Sequence, residues 1–276
     1  MEWHRVKNIV LAILVIVNAM LLMLVWNQKA ETLRYEQSAL TGVIQVLAEN
    51  GIEMDIQAVT NRESREAGSA ERSIDTEAKI AAALLGESVQ GENRGGGLYT
   101  YSSPMGELSF RSGGAMSAVL ANVPEWADSD PESHGASLLG RMGLEVSCVR
   151  SELSNGSGTV TYVQRFNGVQ VFSSQIDLIY EGGNLRSISG TLLAVEETQA
   201  DTGSVLTLPT ALMRFLEEIE ESGDVCSSIV EVEPGYLVSH SFSNAIQLRP
   251  TWYILTNTAD YYVDGITGEV TRAMTA

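Results

Sequence analysis

The stretch "GTVTYVQRFNGVQVFSSQIDLIYEGGNLRSISG", Gly158 to Gly190, constrains the fold more than any other part of the chain. Val160, Tyr162, Gln164 and Phe166 alternate with Thr161, Val163 and Arg165. A period of two residues marks a strand with one face buried. Asn167-Gly168 then interrupts the alternation. Both positions of a type I′ turn need positive φ, which Asn and Gly adopt readily, so the pair predicts a two-residue hairpin. Val169 and Val171 resume the pattern, Ile176, Leu178 and Tyr180 share one face, and "EGGN" turns the chain into Leu185–Ser189. The C-terminus reads the same way. Strands are expected at Tyr236–Phe242 and Thr251–Thr256, and "DGITG" folds Tyr261–Val263 against Glu269–Thr271. Gly168, Asp264 and Gly268 are read as turn geometry, since Gly supplies positive φ without a steric penalty.

Helical phrases precede these strands. Leu40, Val43, Ile44 and Leu47 form one apolar stripe, stopped by Gly51 and followed by Ile52. Leu138, Leu139 and Met142 lead to Gly143 and Leu144; Leu212, Phe215, Leu216 and Ile219 follow Pro209 and stop at Gly223. The sequence therefore predicts an α+β chain in which a helix plus antiparallel strands recurs, the helices of the copies ending near Gly51, Gly143 and Gly223. Between them, Glu53–Val59 is expected as a strand and Thr60–Ser73 as a polar loop. Asp75 is expected to cap a helix ending at Leu85, and "GENRGGG" (Gly91–Gly97) to be a turn. Leu98–Tyr101 and Glu107–Arg111 read as strands.

The N-terminus limits where this sheet can sit. Ile9 to Trp26 is apolar but for Asn18, long enough to span a bilayer, with Trp3 and Trp26 at interfacial positions. Arg5 and Lys7 place residues 1–8 in the cytoplasm and the remainder outside. The rival reading, a cleaved signal peptide, needs a shorter apolar core and a small-x-small site that "LVWNQKAET" lacks. The expected organisation is an anchor at 9–26, a membrane-proximal α+β region at 27–121, an acidic linker at 122–134, and a tandem α+β region at 135–276. An amide inside a span seeks a hydrogen-bond partner, so Asn18 either touches a partner's helix or bonds its own backbone. The net charge of −18 argues against nucleic acid and anionic lipid surfaces as partners. Cys148 and Cys226, exported, form a disulfide or remain two buried thiols.

No catalytic pattern is apparent. His4, His134 and His240 belong to no HExxH, and there is no GxSxG or SxxK. "EEIEES" (Glu217–Ser222) reads as the solvated face of a helix. "DSDPES" (Asp128–Ser133) lacks calcium-loop spacing, and Asn155-Gly156 reads as a turn. No cofactor or metal is expected.

Two phrases carry a resemblance. "VTYVQRFNGVQVFSSQIDLIY" resembles the core of a PepSY-type module, and "YYVDGITGEV" is similar to that family's closing phrase. The short "MEWHRVKNI", one anchor, and an ectodomain of such modules together resemble the YycI/YycH-type regulatory proteins. That resemblance implies a single-pass partner of a membrane sensor histidine kinase governing cell-wall metabolism, acting through helix and ectodomain contacts without catalysis. It also implies pairing with a paralogous anchored regulator. The alternatives are a PepSY-type modulator of an extracellular peptidase and a wall-processing hydrolase.

Overall fold

The computed structural model describes residues 14, 15, 17–23, 35, 37–61, 63–121, 130–201, 203–240 and 245–273. Helical residues 14, 15 and 17–23 come first, then helix α1 (residues 37–49). Strand β1 (Glu53–Met54), a 3-10 turn at Ile56–Ala58 and β2 (Ala67–Arg72) follow. Helix α2 (Ile74–Leu85) leads into β3 (Gln90–Gly95), β4 (Leu98–Ser103), β5 (Gly106–Phe110) and β6 (Ala115–Leu120). Helix α3 (Pro131–Arg141) leads into β7 (Glu145–Ser154), β8 (Ser157–Phe166), β9 (Val169–Glu181) and β10 (Asn184–Thr191). After β11 (Val195–Asp201), α4 (Leu208–Ser222) leads into β12 (Ser228–His240), β13 (Ala245–Thr256), β14 (Asp260–Asp264) and β15 (Val270–Arg272).

Local chemistry sets the boundaries. α1 stops where Gly51 takes φ 81° and the Ile52 N–H donates back to the Leu47 carbonyl at 2.9 Å. Ser73, two residues before the expected Asp75, caps α2 by accepting from the Thr76 N–H. Asp130 caps α3 through the Glu132 and Ser133 N–H groups, with Pro131 in the first turn. α3 therefore starts inside the stretch read as linker. α4 ends at Gly223 in the left-handed region, as expected.

Other expectations need correction. The polar stretch before Ser73 holds β2, because β13 and β11 flank it and complete its ladder. "GENRGGG" contributes β3, whose residues are exposed on both faces and so carry no hydrophobic period. β6 was not anticipated; its alternation runs through Ala118 and Ser117, which weakens the signal. The expected strand at Glu53–Val59 shortens to β1 and the 3-10 turn. The phrase at Gly51 leads to this short segment rather than to a set of strands.

The fold is α+β, with a large sheet dominated by antiparallel pairs. One continuous run is β3-β4-β5-β6-β10-β9-β8-β7, closed in the middle by the antiparallel β6–β10 pair, with Ser117 opposite Ser189. α2 and α3 cover one face. Their Ile80, Leu84, Leu138 and Leu139 pack on Phe110, Tyr162, Leu178 and Ile188. A second run, β1-β12-β13-β14-β15, is covered by α1 and α4, with Leu40, Leu47, Leu212 and Phe215 packed against Val232, Trp252, Ile254 and Val263. The runs meet where β12 pairs parallel with β9 at Gly235 and Gln170. Residues 27–121 thus contribute to both cores: α1 and β1 pack with the C-terminal strands, α2 and β4–β6 with residues 131–194.

Among the described residues no helix is long and apolar enough to cross a membrane. Residues 1–8 and much of the span expected at 9–26 lie outside the described residues. Within the described part, Leu14, Val15, Val17, Met20, Leu21, Leu22 and Met23 are all between 49% and 65% exposed.

Candidate functional site

The face of the C-terminal sheet turned away from α1 and α4 carries the most distinctive side-chain group. Strand alternation sends Trp252, Ile254, Tyr261 and Val263 to the helices and Tyr253, Tyr262 and Glu233 to the other side. Glu233 lies opposite Tyr253, and Tyr253 opposite Tyr262, so the three form a row across β12, β13 and β14. Phe172 of β9 lies against this row, its ring 5.4 Å from both tyrosines, which are 5.6 Å from each other. Gly235 makes that approach feasible. A Cβ there would sit 2.5 Å from the Phe172 ring and from the Gln170 carbonyl. Tyr253 donates to Asp260 Oδ2 at 2.9 Å. Burial pushes both tyrosine hydroxyls above their ordinary range. Burial, helped by Glu231, also pushes the Glu233 carboxyl up, with Arg165 opposing. The result is a half-buried aromatic surface bordered by carboxylates, and its chemistry is that of a binding platform.

Other polar groups hold the fold. His134 Nδ1 lies 2.7 Å from Tyr180 Oη beneath α3, while Tyr162 donates to the Glu132 carbonyl at 2.5 Å. Burial, with Arg141 nearby, lowers the His134 pKa to about 4. Gln164 Oε1 accepts from Ser174 Oγ at 2.7 Å and from the Leu193 N–H at 2.9 Å, fixing the link between β10 and β11. Arg72 binds Glu77 through Nε at 2.5 Å and Nη2 at 3.0 Å, and donates from Nη1 to the Gly97 carbonyl. A polar cleft of about 630 Å³ beside this pair is lined by Ser69, Glu71, Asp75 and Gln199. Among the described residues no three His, Cys, Asp or Glu side chains are grouped to hold a metal.

The residues singled out in the sequence occupy separate elements. Asn167 (φ 50°) and Gly168 (φ 78°) form the two-residue turn between β8 and β9. Asp264 Oδ1 accepts from the Ile266 and Thr267 N–H groups, both at 2.8 Å, Oδ2 meets Arg249 at 2.8 Å, and Gly268 has φ 75°. These are turn-building roles. Asn155-Gly156 is likewise a turn, with φ 51° and 72°. Cys148, exposed on β7, and Cys226, between α4 and β12, are free thiols with no disulfide between them, and burial raises both thiol pKa values. Asn18 Nδ2 donates to the Leu14 carbonyl one turn back at 2.9 Å. Sequence reading missed Phe172, Gly235 and Glu233. The expected strand began at Tyr236; only once β12 is seen to start at Ser228 does Gly235 stand mid-strand, the place that marks a close approach by another group.

No protein-family model and no curated protein matches the sequence. Among solved structures, the chain is similar to an uncharacterized protein from Eubacterium rectale at 11% identity and TM-score 0.47, over 81% of this chain and 90% of that one. It is also similar to the Bacillus megaterium YpeB C-terminal domain at 12% identity and TM-score 0.36, over 75% of this chain and all of that one.

Proposed function

We propose that this chain is a membrane-anchored, extracytoplasmic regulator of a sensor histidine kinase, of the YycI/YycH type, acting by protein contact. The observation that carries the anchored reading is that the apolar side chains of helical residues 14, 15, 17 and 20–23 are all exposed. A helix apolar on all sides needs an apolar surrounding. Arg5 and Lys7 ahead of it support a cytoplasmic N-terminus. The kinase partner is supported by the PepSY-like phrases around Asn167 and Asp264. α2 with β3–β6, α3 with β7–β10, and α4 with β12–β15 are the proposed copies of that module. Regulation follows from differential binding: contacts that favour one kinase conformation shift its population. The anchor connects to this ectodomain through α1, whose Leu40 and Leu47 are buried in the C-terminal core.

The test is a crosslinked pull-down from native membranes, with the full chain and with an anchor-swapped version. A sensor kinase recovered with the native anchor and lost with the swapped one supports the proposal. A peptidase recovered equally with both would replace it with the peptidase-modulator reading.

A further inference from the structure

We infer that β15 is the docking edge for a second copy of this chain, which pairs with it strand to strand around a two-fold axis. The fold contains its own precedent. β6 and β10 are each the fourth strand after a helix, and they pair antiparallel with one another, over registers from Ala115–Thr191 to Val119–Ser187. β15 is the fourth strand after α4 and, among the described residues, pairs with β14 alone.

Three other edges, β3, β7 and β11, are bulged, and β15 is not. Each of β3, β7 and β11 carries an extra residue against its neighbour: between Asn93 and Gly95, between Cys148 and Arg150, and between Val195 and Thr198. Bulges of this kind are a device that keeps exposed edges from pairing. β15 runs against β14 in regular register, Tyr261–Arg272, Tyr262–Thr271 and Val263–Val270.

The ladder fixes the geometry. Asp264 N–H donates to the Glu269 carbonyl and Ala273 N–H to the Asp260 carbonyl. By the alternation of an antiparallel pair, the backbone groups of Val270 and Arg272 then point away from β14. An axis at Thr271 sets Val270 of one copy opposite Arg272 of the other, so both outward N–H and C=O groups of each copy are satisfied. Thr271 faces its own counterpart in a favourable Thr–Thr pair. The sheet then runs from β12 to β15 and back through the second copy, the same arrangement as β3 to β6 continuing through β10 to β7. This inference is independent of the kinase reading.

The experiment uses the full chain in native membranes, with Cys148→Ser and Cys226→Ser to remove background thiols. Thr271→Cys places two sulfur-bearing residues at a non-hydrogen-bonded pair, Cα atoms about 4.5 Å apart, within disulfide reach. Mild oxidation is expected to give a covalent dimer, and Glu92→Cys on the bulged β3 edge is expected to give none. Val270→Pro removes an outward N–H and is expected to weaken dimerisation on the order of tenfold, the β14 ladder being untouched. A dimer absent from Thr271→Cys, or equally strong from both cysteine positions, overturns the inference. So does a Thr271→Cys adduct with a different protein. The cysteine result decides the matter even if Val270→Pro fails to fold.

Discussion

The two sheet regions solve the same problem by different means. The run from β3 to β7 is covered by helices that immediately precede its own strands, and its internal edges close on each other at β6 and β10. The C-terminal run is covered by α4 together with α1, which lies far earlier in the sequence. A clasp accompanies α1: Glu53 and Met54 pair with Ser228 and Ile229, Val59 bridges Val232, and Thr60 donates to the Val232 carbonyl. The main core of the first region draws only on its own helices and strands, while Val169 and Val171 at the β9 end pack on Ala70, Tyr236 and Leu248. The second depends on the segment nearest the proposed anchor, so a pull on that segment acts on its core directly.

The comparison breaks most visibly at α1. Leu40→Ala with Leu47→Ala removes two buried side chains at about 2–5 kcal/mol each. Hydrogen exchange is expected to rise across β12 and β13 while β4–β6 and β9 keep their protection. Equal loss in both regions would show that they are one cooperative unit. The next effect is at the ion pair joining β2 to α2, where Arg72 and Glu77 side chains are 10% and 3% exposed. Glu77→Ala strands a buried guanidinium and is expected to cost about 3–5 kcal/mol in urea unfolding. A substitution with no measurable effect would mean water replaces the carboxylate.

A smaller effect sharpens the first region alone. The His134 pKa is lowered to about 4 from 6.5, so the unfolded chain binds the proton more readily. Stability is full above about pH 6.5 and falls as pH drops toward 4, by at most about 3 kcal/mol. His134→Gln is expected to flatten that slope; a slope that persists assigns it to carboxylates instead. The smallest expected effect is at Asn18. Because its amide already bonds the Leu14 carbonyl, Asn18→Leu should leave partner recovery in the membrane pull-down unchanged. A large loss would place that side chain on a partner helix.

Elements with one buried face were readable from the sequence. The β8–β9 hairpin, the stripe of α4 and the final turn all follow from period and turn chemistry. β2 and β3 were not, because β2 is built of small residues that gain their pairing from distant strands, and β3 buries nothing. The aromatic platform was unreadable for a related reason. Phe172, Tyr253 and Glu233 are brought together by the parallel β9–β12 contact, and no local pattern encodes a non-local register.

The sharing of one core by α1 and α4 also sets an order of events. Leu40 and Leu47 leave the ribosome long before Leu208 to Val263 exist, so α1 must wait, apolar stripe exposed, for the last strands. Non-local closure of this kind is slow and leaves an intermediate open to misassembly. The middle of the chain holds a core of its own, from Ile80 to Ala194, that can form during that wait. Newly made protein is therefore expected to pass through a state in which its centre is finished and its two ends are not.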